Sequence, residues 1–159
     1  MKVYACVRTD NMSGTVEGKN LVSLKYDGEI ENGSVVVVGD YVDGEREVRT
    51  ATAPTKDAKV RDLALIATPE VIKDKAYHSI ANFINNEGSI CRGYRLTPGD
   101  IFSVTKEAFV SGADPKKGYI VELVDNNVKL NAVSAATDST TAVGKIVLVE
   151  DEWYVIEVA

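Results

Sequence analysis

The sequence predicts a mainly β protein, an antiparallel β-barrel or sandwich built from hairpins, with one helix near residues 69–85 laid against it. Three observations carry that expectation. Short apolar stretches recur along the chain, separated by turn-forming pairs such as Asp27–Gly28, Asn32–Gly33 and Asp43–Gly44. Glycine tolerates positive φ there, and Asn or Asp can bond back to the backbone. Val35 to Val38 form an unbroken apolar run of strand length, which implies cover on both faces. Helical spacing is convincing in one place only, where Ile72, Ala76, Ile80 and Phe83/Ile84 fall on a single stripe.

In chain order, "KVYACVR" alternates, with Val3, Ala5 and Val7 on one face. Residues 9–19 carry Gly14, Gly18 and several small polar residues, and read as a loop or mobile N-terminal arm. "NLVSLKY" puts Val22, Leu24 and Tyr26 in phase. Next come the valine strand and a hairpin across Asp43–Gly44. A weakly hydrophobic connection, residues 50–60, leads to the apolar strand "DLALIAT". The expected helix follows, with Thr68 as cap, Pro69 in the first turn and Gly88 at the exit. "SICRGYRL", the turn "TPGD" and "IFSVT" come next, then a loop, "SGADPKKG". The last third reads as two hairpins, "YIVELV"/"VKLNAV" around residues 125–127 and "KIVLV"/"WYVIEV" around residues 150–152. In the final strand Tyr154, Ile156 and Val158 share one face, and Trp153, Val155 and Glu157 the other. A faint internal echo runs through the chain: strand, hairpin, Ala/Thr stretch and strand occur once over residues 33–67 and again over 118–149. Shared β-sheet grammar accounts for it better than duplication does.

Length and charge narrow the function classes. A chain of 159 residues suits one domain, burying about 68–70% of its unfolded surface. The net charge of −6 and a pI near 4.9 oppose nucleic-acid binding, because affinity for phosphates comes from Lys and Arg displacing counterions. The N-terminus is too short in apolar residues and too polar for a signal peptide, and no stretch approaches a membrane span. Cys6 and Cys91 stand far apart without CxxC or His companions and read as buried small hydrophobes in a reducing cytoplasm, although sequence leaves a disulfide between them open.

No catalytic constellation emerges. The single histidine, His78, lies off the apolar stripe of the expected helix, and no G-x-S-x-G stretch accompanies it. Asp40, Asp43, Glu45 and Glu47 cluster at a turn, but Val42 occupies a ligand place of the calcium-loop pattern and no glutamate sits six residues after Gly44. They read as a solvated, edge-protecting hairpin. Neither Gly-rich phosphate pattern occurs, and the seven tyrosines are spread about one per element. No metal and no cofactor is expected.

The order of features supplies more. "ENGSVV" at residues 31–36, "RGYRLTPGDIFSV" at residues 92–104 and the closing hairpin "GKIVLVEDEWYVIEV" follow one another over roughly residues 20–159. This order resembles the small head-decoration, or capsid cement, proteins of tailed bacteriophages, in which an ENG-x-VV strand and an R-x-Y-x-L-x-x-GD-x-F-x-V segment recur. The resemblance implies a structural virion protein, not an enzyme, that binds the outer surface of an assembled capsid and stiffens it. It implies the major capsid protein as partner, self-association such as a trimer, and a place on the virion after synthesis in the host cytoplasm. The acidic charge suits an outer capsid face. Polar Ala/Thr stretches between rigid strands suit contacts that order on binding, trading chain entropy for contact area. The expected contact residues are therefore Thr50, Thr52, Pro54 and Lys56, then Ser134, Thr137, Ser139 and Thr140, together with Met12 in the arm. One alternative is a small-molecule-binding or enzymatic barrel whose mouth is lined by tyrosines with Arg92 and Arg95, which predicts a deep pocket. A second is a tail or connector component of the same virion.

Overall fold

The computed structural model describes residues 2–72 and 79–159. The chain is mainly β, as expected, and it uses both anticipated architectures at once. A closed five-stranded barrel is stacked on a six-stranded sheet. The barrel contains β2 (Leu21–Tyr26), β3 (Val35–Tyr41), β4 (Val48–Thr52), β5 (Leu63–Ile66) and β6 (Ile90–Arg95), in the order β2-β4-β3-β5-β6. The sheet contains β1 (Val7–Asn11), β7 (Ile101–Val104), β8 (Ile120–Val124), β9 (Asn127–Val133), β10 (Ala142–Glu150) and β11 (Trp153–Val158), in the order β1-β7-β11-β10-β8-β9. Its pairings are all antiparallel. In the barrel β2 and β4 run parallel, because the β3–β4 hairpin brings the chain back in the direction of β2.

The valine run explains how the two layers join. Successive strand residues face opposite sides. Val36 and Val38 therefore point into the barrel, beside Leu24, Ala64 and Ile66, while Val35 and Val37 point outward. The outward pair belongs to one cluster with Leu63, Leu65, Tyr94 and Leu96 on the barrel side and Phe102, Val104, Val121, Leu130, Ile146 and Ile156 of the sheet. This shared layer is the main core, and the smaller cluster fills the barrel interior. Four consecutive valines are thus needed because β3 is covered on both sides.

The internal echo has a spatial counterpart. In the barrel, β3 and β4 form a hairpin and β5 returns on the far side of β3. In the sheet, β8 and β9 form a hairpin and β10 returns on the far side of β8.

Two local expectations meet a different structure. Residues 73–78, the middle of the helix expected near 69–85, and His78 with them, lie outside the described residues. Of the flanks, residues 69–72 are not helical, Ile80–Asn82 forms a 3-10 turn, and Asn85 bridges Ile30. The stretch expected as a loop or mobile arm has regular structure: β1 extends to Asn11, and a short helix, α1 (Ser13–Glu17), follows and ends at Gly18 with φ of +67°. Two long-range features dock it. Met12 is completely buried in the main core. The buried Asp100 carboxylate accepts the Ser13 N–H at 2.9 Å and the Ser13 hydroxyl at 3.2 Å. It thereby does the capping work that the N-cap residue, Met12, has no side-chain oxygen to do.

Asp100→Ala is expected to cost about 1–3 kcal/mol, the range for removing one partner of a buried hydrogen-bonded group. It should also open residues 12–18 to limited proteolysis, with urea unfolding giving the stability change. Cleavage no faster than in the wild type would show that the carboxylate does not hold the arm.

Candidate functional surface

The stretches of residues 50–58 and 134–142 lie some eighty positions apart in the chain, yet the fold brings most of both together. Each is the crossover of one strand–hairpin–strand unit, and the units are stacked so that the crossovers meet. The Thr141 N–H donates to the Lys56 carbonyl at 2.7 Å, and the Asn126 N–H to the Pro54 carbonyl at 2.9 Å. The Asp125 carboxylate accepts the Lys56 N–H at 3.1 Å. These bonds join both crossovers and the β8–β9 turn into one rim. Thr52, Thr55, Lys56 and residues 134–139 stand exposed along it.

The rim is held in shape by hydrogen bonds within the chain itself. Glu122 is buried, and its carboxylate accepts the Thr137 hydroxyl at 2.8 Å and the Thr137 N–H at 3.3 Å. The Thr55 hydroxyl donates to Asp57 at 2.7 Å, which holds that carboxyl below its ordinary range. Ser139 takes a positive φ of 60°, closing the loop tightly enough for the Thr140 N–H to reach the Thr137 carbonyl.

The expected contact residues divide accordingly. Thr52, Lys56, Ser134, Thr137, Ser139 and Thr140 belong to the rim. Pro54 is part of it but buried, so it shapes the surface without presenting a side chain. Thr50 sits further along β4, donating its hydroxyl to the Asp40 carbonyl at 3.2 Å, in a separate groove with Lys25, Tyr26 and Glu87. Met12 is corrected outright, since a side chain with no exposed surface in the core touches no partner. Sequence reasoning missed Asp125 and Glu122, which fasten the rim. A turn aspartate and a glutamate amid an apolar strand were the signals available.

The motifs that carry the phage resemblance turn out to be the seams between barrel and sheet. In "ENGSVV", Glu31 accepts the Ala5 N–H at 2.7 Å and pairs with Lys129 at 3.4 Å, tying down the N-terminal segment. Asn32 is buried and satisfied by the Thr68 backbone and the Asn85 amide. Gly33 has φ of +86° and sits against Ala108 and Val104. In "RGYRLTPGDIFSV", Tyr94, Leu96, Phe102 and Val104 fill the shared core, and Asp100 docks α1.

The features of the other reading do not converge. Arg92 and Arg95 stand three residues apart on β6 and so point to opposite faces. Tyr94 is in the core, Tyr26 packs on the barrel interior and Tyr41 is 60% exposed, while Tyr77 lies outside the described residues. The barrel interior is filled by Leu24, Ile30, Val36, Ala51, Ala64, Ile66 and Cys91. An open groove of about 660 Å³ lies between the N-terminal segment, residues 106–114 and Lys129. Both lysines and carboxylates line it, among them Lys2, Lys106, Glu31 and Asp114. Cys6 and Cys91 are both free and buried. Burial, aided by Glu70 and other carboxylates, pushes the Cys6 thiol up to about 11, so it stays protonated and unreactive at neutral pH. Among the described residues no group of His, Cys, Asp and Glu is placed to hold a metal ion, and no helix is long and apolar enough to cross a membrane. Comparison of the chain with protein-family models, with curated proteins and with solved structures found no match.

Proposed function

We propose that this chain is a structural virion protein that binds the outer surface of a tailed-phage capsid and stabilises it, with the major capsid protein as its partner and without a catalytic step or cofactor. The observation that carries the reading is the rim. Two Ala/Thr-rich crossovers, remote in sequence, are fastened into one exposed and preformed surface that presents small polar side chains and a lysine rather than a reactive group. A surface already held in shape loses less chain entropy on docking than a free arm does. The negative net charge supports attachment outside the shell, away from packaged DNA. The order of motifs supports the same reading, and their role as seams explains why they recur in a scaffold rather than at a reaction centre.

The test mixes purified protein with expanded, undecorated capsids and measures copies bound per capsomer after sedimentation. Saturable binding at a fixed number of copies is expected. Ala135→Arg and Ala136→Arg, on exposed rim positions, should each weaken it by about tenfold or more, equivalent to about 1.4 kcal/mol. Unsaturable or undetectable binding to shells, or binding to tails or connectors instead, would overturn the assignment.

A further inference from the structure

The barrel covers one face of the six-stranded sheet; on the other, Thr137 lies over Glu122 and Arg8 over Trp153, and the surface between them along β7, β11, β10 and the start of β8 is open among the described residues. A wet face of an antiparallel sheet ordinarily alternates to polar side chains. This one does not. Opposite the buried Phe102, Val121, Ile146 and Ile156 stand Ile101, Ile120, Leu148 and Val155, with Leu148 44% exposed.

The pairing registers arrange these side chains into rows across the strands. One row runs Ile101 on β7, Glu157 on β11, Lys145 on β10 and Ile120 on β8. The next runs Ser103, Val155 and Leu148. The first is centred on the seam between β10 and β11; in the second that seam separates Val155 from Leu148, and Ser103 on β7 has no partner on β8 to match it. The first row is apolar, acidic, basic, apolar, so reflecting it across the seam exchanges Glu157 with Lys145 and Ile101 with Ile120. The second exchanges Val155 with Leu148.

A two-fold axis lying in the contact plane along that seam performs this exchange between two molecules. Lys145 of one copy would then meet Glu157 of the other, twice over, with Leu148 against Val155 and Ile101 against Ile120 on either side. Among the described residues neither Lys145 nor Glu157 is in an ion pair, so both charges are available across such an interface. An axis parallel to the strands also keeps both sheets' strands nearly aligned, the usual face-to-face packing. At the end of the face Arg8 stacks 3.9 Å over the Trp153 ring, closing the apolar surface.

From this self-complementary pattern of charge and apolar side chains we infer that the outer face of the sheet is a homodimer interface, taking a second copy of this chain about the β10–β11 seam. The dimer does not depend on the capsid reading, and it replaces the expected trimer with two-fold association through this face.

Sedimentation equilibrium of the full chain over a micromolar range tests it. A monomer–dimer equilibrium is expected. Lys145→Glu and Glu157→Lys should each weaken it by about tenfold or more, because each sets like charges against each other at two points. The double reversal should return affinity to within a few-fold of the wild type, since exchanging both charges restores the complement. Both positions are exposed, so near-ultraviolet circular dichroism should be unchanged in every variant. A monomer throughout the range, a trimer, or a double reversal as weak as either single variant would overturn the inference.

Discussion

Replacing Phe102 with alanine should destabilise the protein by about 3–5 kcal/mol, the range for removing a buried aromatic side chain from a core that cannot fully collapse. Phe102 is 1% exposed at the centre of β7, paired with Ile156 and packed in the layer shared by barrel and sheet. Domains of this kind are stable by only about 5–15 kcal/mol, so the loss is a large fraction of the total. Urea unfolding should show a much lower midpoint with little change in slope. Fluorescence of Trp153 in the sheet and a probe on a barrel tyrosine should shift together, because the layer joins both halves into one cooperative unit. Tyr41→Ala, at a position 60% exposed, is the control and should stay within about 0.5 kcal/mol. Separate transitions for the two halves, or equal effects at Phe102 and Tyr41, would show that the layer does not couple them.

Gly144→Ala is expected to be as severe despite adding one methyl group. A Cβ at Gly144 would be driven into the carbonyl oxygen of Glu157 and would also press on Ile156 Cγ2 at 3.1 Å. The obstacle is backbone of the paired strand, which cannot rotate away as a side chain can. Relief would require β10 to separate from β11 where Gly144 faces Val158. The cost should exceed the about 1–3 kcal/mol typical of overpacking a core. Gly44→Asn tests the contrast: that site has φ of +80° and open space around it, and Asn tolerates such a backbone. It should change the unfolding midpoint little. A Gly144 variant with wild-type stability would mean that β10 and β11 are not held as closely as this pairing requires.

Much of the fold was legible because its signals are local. Turn chemistry located the hairpins: Gly44, Asn126 and Asp151 all adopt positive φ at the predicted reversals. Alternation assigned the faces of β11 correctly, with Ile156 and Val158 inward and Glu157 outward. The valine run announced its double cover, since no solvent-facing strand would keep four such residues together.

Alternation failed where the ladder is irregular. A bulge between Ile146 and Leu148 carries Leu148 to the outer face beside Val155, where a strict period of two would put it in the core. The arm at residues 9–19 read as mobile because its anchors are distant. Asp100 lies 87 positions from Ser13, and the core receiving Met12 is built from both layers. The rim was legible as two separate polar stretches, and nothing in either stretch announces the other.

Residue order was therefore sufficient for the mainly β class, the strands, the hairpin turns and the solvated acidic loop, because periodicity and turn geometry act over a few residues. Barrel closure through β2 and β6, the parallel β2–β4 pair, the docked arm, the joined rim and the symmetric row across the outer face arose only on packing. Each depends on register between strands far apart in the chain. Register is set when whole apolar faces find a common core, a choice that no short stretch of sequence encodes.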